Sequence, residues 1–201
     1  MKYFRKIIGE SCYLSPLCHD EVEKYTEWVN DMETGLYVLF ASSVIDINKE
    51  RSILEYLSKH DTVMAIVEKE CNKSVGICGL HNRNDVHRTA NFGIFIGDKN
   101  YWGQGIGTEA TMLMLDYAFQ VLNLNSVHLE VVDFNKRAIA CYDKCGFKYA
   151  GKKRQAIFMA GIYHDLFIYD ITASEFVSPY VNKLYNHAIK SDTDTDKISI
   201  V

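Results

Sequence analysis

Several patterns are missing from this 201-residue chain, and each absence narrows its chemistry. Cationic side chains are not in excess: 22 Lys and Arg stand against 26 Asp and Glu, a net charge of −4. Phosphate backbones are normally met by a basic face, so no nucleic-acid partner is expected. The six cysteines (Cys12, Cys18, Cys71, Cys78, Cys141, Cys145) include no C-x-x-C pair and no His/Cys block at zinc spacing, so no metal site is expected. No apolar run approaches the ~18 residues that span a bilayer, so no membrane partner is expected. The opening stretch MKYFRKIIGE lacks the pattern of a secretory signal. Free thiols and a reducing, cytoplasmic compartment are the expectation. Neither an internal repeat nor a low-complexity linker breaks the chain.

What is present is ordinary globular material, 48% hydrophobic and 24% charged, long enough to bury one core. Residues 11–17 read as a strand. Asp20 and Glu23 form a capping-box signature before the amphipathic stretch EVEKYTEWVN, and an aromatic-rich loop follows from Asp31 to Ser43. Asp46 or Asn48 then caps a second helix with Ile53, Leu54 and Leu57 on its apolar stripe. TVMAIVEK, VGICGL and NFGIFIG read as a three-strand meander, with residues 81–88 as a turn. Thr108 to Leu122 reads as a helix carrying Ala110, Leu113, Tyr117, Ala118 and Val121 on one side. SVHLEVV is a strand, NKRAIACYDKC a helix ending at Gly146, and residues 147–171 one or two strands around MAGIY. From Thr172 a terminal helix leads to the polar tail DTDTDK, expected to fray. This order predicts an α+β fold with a mixed central sheet rather than a doubly wound one.

The densest signal is YWGQGIGTEA, residues 101–110, with glycine at 103, 105 and 107. A P-loop needs Lys after its last glycine, and none is there. Gly105, Gly107 and Ala110 do satisfy the dinucleotide spacing G-x-G-x-x-A, with Glu130 downstream for a ribose hydroxyl. Against that reading, DKNYW separates the first glycine from its strand, the strand belongs to an antiparallel meander, and Glu130 sits inside a strand pattern. A pyrophosphate cradle of another kind fits better: successive N–H groups from Gln104 to Thr108 at the N-terminus of a helix.

The stretch resembles the acetyl-CoA loop of the GCN5-related N-acetyltransferases, [Q/R]-x-x-G-x-[G/A], with Gly105 and Gly107 on the two small positions. Trp102 falls where Gln or Arg is usual, a departure shared with the branch of ribosomal-protein N-terminal and spermidine acetyltransferases. Downstream, N-x-x-A-x-x-x-Y-x-x-x-G-F appears as Asn135, Ala138, Tyr142, Gly146 and Phe147. The segments VHRTANF, DYAFQVLNL and IFMAGIYHDLFIYDI are similar to members of the same branch. The resemblance spans roughly residues 10–171, taken as the catalytic domain, with 172–201 as an appended helix and tail.

The resemblance implies a GNAT fold, acetyl-CoA as cofactor, and transfer of its acetyl group to an amine. Main-chain groups near Phe95 and Ile96 would pair with the pantetheine arm. Gln104, Gly105, Ile106, Gly107 and Thr108 would hold the pyrophosphate, and Asn135 would contact the cofactor. Tyr142 is the candidate general acid, since a phenol near pKa 10 is protonated at neutral pH; by its helix alone it also reads as a core aromatic. Many relatives carry an acid where Asn91 stands, so the base stays open among Glu130, His87 and an ordered water chain. Trp28, Asp31, Glu33 and Tyr37, in the first helix and the loop after it, suit a cationic acceptor. That acceptor is a polyamine, an amino sugar or a protein N-terminus, and a homo-oligomer is admitted. A weakly catalytic acyl-CoA sensor is the competing function, supported by Asn91 alone.

Overall fold

A computed structural model of the protein describes residues 2–38 and 42–195. Among these residues, eight strands form one sheet in the order β1-β2-β3-β4-β5-β6-β8-β7. A short β1 (Ile7–Ile8) and β2 (Cys12–Pro16) lead into a 3₁₀ turn at His19–Glu21 and then α1 (Val22–Asn30). The Asp20/Glu23 capping box does not form. The 3₁₀ turn carries the chain into α1, and no side chain caps that helix.

The loop expected from Asp31 contains a second helix, α2 (Met32–Val38). Its signal is Asp31, whose carboxylate accepts from the Thr34 N–H (2.9 Å) and hydroxyl (2.8 Å), an N-cap in all but label. Residues 39–41 of that loop lie outside the described ones. Asp46 caps α3 (Ile47–His60) as expected, accepting from the Lys49 N–H at 2.9 Å.

The meander of β3 (Thr62–Glu68), β4 (Lys73–Asn84) and β5 (Thr89–Ile96) is antiparallel. In β3 successive residues alternate between two cores: Met64 and Ile66 join the cluster under α4 (Ile106–Asp116), and Ala65 and Val67 a smaller one. That two-sided burial explains why the run is continuously apolar. Residues 81–84, expected in a turn, extend β4 instead.

Helix α4 is buried almost all round, with Ala110, Leu113, Met114 and Leu115 inaccessible. It closes in a π-turn at Tyr117–Val121, where the Leu122 N–H reaches back to the Tyr117 carbonyl (3.0 Å). The wider turn shifts the helical phase, so Val121 is 51% exposed rather than on the apolar stripe. β6 (Ser126–Val132), α5 (Lys136–Lys144), and a long hairpin of β7 (Lys148–Met159) and β8 (Ile162–Thr172) follow. Gly146 ends α5 at φ +91°, the left-handed cap its sequence position implies.

The terminal helix α6 (Val181–Thr195) takes in the first four residues of DTDTDK, and the rest of that tail lies outside the described residues. Its start is held by Asp116 at the buried end of α4. The Asp116 carboxylate accepts from the Ser178 hydroxyl and from the Tyr180 (2.8 Å) and Val181 (2.9 Å) N–H groups. Among the described residues no helix is long and apolar enough to cross a membrane. Because Asp116 is fully buried, Asp116→Ala should strip those donors of their acceptor. It should lower unfolding free energy by roughly 3 kcal/mol in urea titration, with turnover per folded molecule retained.

Candidate functional site

The site begins where the sheet opens. β5 and β6 run parallel over only three rungs, from Thr89 opposite Ser126 to Asn91 opposite His128. Beyond them β5 stays with β4 and β6 with β8, so the two strands diverge. A cavity of about 650 Å³ lies across this opening and carries on beneath α1, α2 and α3. Phe95 and Ile96 line it, on the stretch of β5 whose edge towards β6 has no strand partner. The Ile96 carbonyl accepts from the Trp102 indole N–H (2.8 Å), which pins the glycine loop to the end of β5.

That loop enters α4 with Gly103 at φ +74° and Gly105 at φ +86°. Gly105 is the N-cap and offers no side chain to the helix. The first N–H groups of α4 therefore have no internal acceptor, and the helix dipole leaves them positive. Gly107 is different. Its φ is not in the left-handed region, and a Cβ there would come no nearer than 3.8 Å to Ile96. Protein packing does not require glycine at 107, and the missing side chain leaves room beside the helix N-terminus. This open, uncapped cradle fits a pyrophosphate. Gly105, Gly107 and Thr108 line the cavity. Ile106 points into the core, and the Gln104 side chain turns back to the Asn100 carbonyl, so only their main chain is available.

Helix α5 forms the facing wall. Asn135 is buried and lines the cavity, and its carboxamide oxygen caps α5 through the Ala138 N–H (3.1 Å). Two residues on, the Arg137 guanidinium stacks 3.8 Å over the Trp102 ring and 5.1 Å from Tyr37. A cationic group thus stands beside the loop although position 102 is tryptophan. Tyr142 is buried against Phe92 and Phe147 and lines the cavity. Among the described residues none hydrogen-bonds its hydroxyl, and burial pushes the phenol above its usual pKa. Cys141 and Cys145 share the face towards Thr108: its hydroxyl donates to Cys141 Sγ (3.3 Å), and Cys145 Sγ approaches its carbonyl (3.6 Å). The Cys145 thiol beside it holds the Cys141 thiol below its usual pKa, and Cys145 rises in turn.

Of the residues expected to meet the acceptor, Tyr37 lines the cavity, edge-on to Trp102 (6.0 Å). Trp28 packs edge-on against Phe95 (6.2 Å) outside it. Asp31 and Glu33 both pair with Lys99 (2.9 and 2.7 Å), also away from the cavity. Glu130 reaches the cavity but is ion-paired to Lys153 (2.5 Å). His87 is exposed in the β4–β5 turn and does not line it.

Three residues that sequence reading passed over do line it: Arg137, His81 and Glu50. His81 stands directly opposite Asn91 in the β4–β5 register. Its Nδ1 is 3.0 Å from Asp61 Oδ2, and its Nε2 lies over Gly93, 3.3 Å from where a Cβ would be. With the Nδ1 proton held by Asp61, Nε2 is left as an acceptor. The only sequence signal was a histidine one register step from the missing acid, which is invisible until the hairpin's pairing is known.

Three outcomes follow from this geometry. Gly107→Ala should keep stability within about 1 kcal/mol yet weaken coenzyme A binding roughly tenfold or more, about 1.4 kcal/mol, by calorimetry. Gly105→Ala should also lower the melting temperature, since left-handed backbone costs about 1–2 kcal/mol without glycine. Alkylation of Cys141 by iodoacetamide should be faster than that of Cys145, whose thiol is held protonated in turn, because the thiolate is the nucleophile. Coenzyme A should slow it.

Comparison with known proteins agrees with this architecture. An acetyltransferase (GNAT) domain model matches residues 12–148. YdaF of Bacillus subtilis (strain 168), provisionally named a ribosomal N-acetyltransferase, is 29% identical over 163 residues, covering 78% of this chain and 88% of that protein. The spermidine N(1)-acetyltransferase of Escherichia coli (strain K12) is 39% identical over 97 residues, 48% of this chain and about half (52%) of that protein. In three dimensions the fold matches a spermidine N-acetyltransferase from Vibrio cholerae, solved with CoA and spermine, at a TM-score of 0.75 and 22% identity, over 83% of this chain and 98% of that one. With its sheet opening between β5 and β6 and its glycine cradle at the head of α4, the chain belongs to the GNAT acetyltransferase family.

Proposed function

We propose that this protein transfers the acetyl group of acetyl-CoA to the amine of a small molecule, with a protein N-terminus as the competing acceptor. The observation that carries the reading is the uncapped N-terminus of α4 facing the open edge of β5, with unused space at Gly107. When bound there, acetyl-CoA supplies an activated thioester. The N–H groups from Gln104 to Thr108 would hold its pyrophosphate, and Arg137 would add positive charge beside them. Main chain near Phe95 and Ile96 would receive the pantetheine arm, and Asn135 would border it.

Tyr142 is assigned as the proton donor to the departing sulfur. Its burial keeps the phenol protonated across the physiological range, and no other described group competes for its hydroxyl. Of the groups considered for the proton acceptor, Glu130 is neutralised by Lys153, and the imidazole of His81 is better placed. Asp61 orients the ring through Nδ1, and His81 lines the cavity beside Gly93. Asn91 therefore does not argue for a non-catalytic sensor, because the acid missing at 91 has a replacement across the hairpin.

The test is free-thiol release from acetyl-CoA against polyamines, amino sugars and N-terminal peptides. Turnover on an amine is expected; coenzyme A binding without turnover across the whole panel would return the protein to the sensor class. Tyr142→Phe should lower kcat on the order of a hundredfold with KM little changed. His81→Gln should lower kcat/KM by a similar factor, with coenzyme A binding retained. Full activity in either variant removes that residue from its role.

A further inference from the structure

Most acids near the site already have a cation. Glu21 has Lys24 and Lys2, Asp31 and Glu33 have Lys99, and Glu130 has Lys153. Glu50 has none. It sits in the first turn of α3, is only 4% exposed, and lines the cavity. Among the described residues no donor or cation pairs its carboxylate, and burial pushes its pKa up. The head of α3 offers it a modest favourable dipole. A buried, unpaired carboxylate otherwise works against folding.

The placement of Glu50 along α3 is informative. Ile53 and Leu57, three and seven residues on, fall on the same helical face and also line the cavity. Asp61 follows as the C-cap and holds His81. One helix thus presents an acid at its head, apolar side chains along its middle, and the proton-accepting imidazole at its foot. From Glu50 to Asp61 the axial rise is roughly 16 Å.

We propose that Glu50 anchors a second, non-reacting cationic group on the acceptor, so that the preferred acceptor is an amine with positive charge at both ends of an apolar spacer. The spacer lies along Ile53 and Leu57, and the reacting amine meets His81. A monoamine or an uncharged-tailed peptide would leave the carboxylate unpaired in a desolvated pocket, which selects against it. The assignment rests on the acetyl-transfer reading above for its chemistry, but not for the binding event itself.

The experiment compares linear α,ω-diamines with monoamines of the same carbon count, on the full-length parent and on Glu50→Gln. For the parent, kcat/KM should favour the diamine on the order of tenfold or more, and Glu50→Gln should bring that ratio towards one by raising the diamine KM. The variant should melt no lower than the parent, because an unpaired buried charge has been removed; a residue needed only for folding would show the opposite. A parent that does not distinguish the two amines, or a ratio that survives Glu50→Gln, overturns the proposal. Thermal shift by diamine against monoamine, with coenzyme A present, reads the same preference without turnover. If no amine is acetylated, the acetyl-transfer reading falls, and this arm still decides whether Glu50 binds the second cation. If Glu50→Gln does not fold, the parent's own preference decides.

Discussion

The divergence of β5 from β6 is the constraint on which the rest of this molecule depends. Parallel pairing lasts three rungs because each strand has a better partner on its other side. β6 is paired with β8 along its whole length, from Ser126 opposite Thr172 to Val132 opposite Leu166. β5 is paired with β4 up to Ile96. Antiparallel pairing on the outer edges is the more favourable, so the inner edges are left apart. A strand edge left open inside a fold must be covered. Helix α4 and helix α5 cover it from one side, packing Leu113, Met114 and Tyr142 into the main core. Helices α1 and α3 cover the other through Trp28 and Leu54, which cluster with Phe95 of β5. Gly103, Gly105 and Gly107 border the gap between these layers without side chains to fill it.

Charge follows the same geometry. Lysines from neighbouring elements neutralise acids at and beyond the cavity, and each exposed pair is worth little to stability. Their effect is selective: they remove Asp31, Glu33 and Glu130 as free anions, while among the described residues no cation pairs with Glu50 in the cavity. An acidic stretch in a sequence therefore says little about cation binding until its internal partners are known. Lys99 illustrates this. It lies 66 residues from Glu33 in the chain and beside it in space.

Local signals made a good part of the fold legible. The glycines at 103, 105 and 107 announce backbone proximity because few other demands need three of them, and Gly146 marks a helix end through its obligatory positive φ. The meander, α4 and α5 follow from periodicity. What was hidden depends on pairing across long separations. The extension of β4 through residues 81–84 is polar, and only its register with β5 makes it strand. His81 becomes a site residue through that register and through Asp61. Arg137 becomes one by stacking on Trp102. Helix α2 was missed although Asp31 and Thr34 carry an N-cap pattern, because the aromatics around it read as loop. Val121 misled because a π-turn breaks the 3.6-residue phase that the periodicity assumed.

Trp102 shows how such a departure is absorbed. A glutamine or arginine at this position would bring a polar side chain to the loop; tryptophan brings a rigid ring and one N–H. The N–H is spent on Ile96, so the ring is fixed, and its face becomes a platform for Arg137. A guanidinium over an indole is favourable in itself, and here it also delivers charge to the cradle from the opposite helix. The cradle, the unbonded Tyr142 hydroxyl and the unpaired Glu50 carboxylate are each unfavourable when considered alone. All three border one cavity, while the buried core around Leu113, Ile66 and Leu129 is apolar and satisfied. Local departures from good folding practice that converge on a single space are the pattern of a binding site, and their chemistry, positive at one end and negative at the other, gives that space a direction.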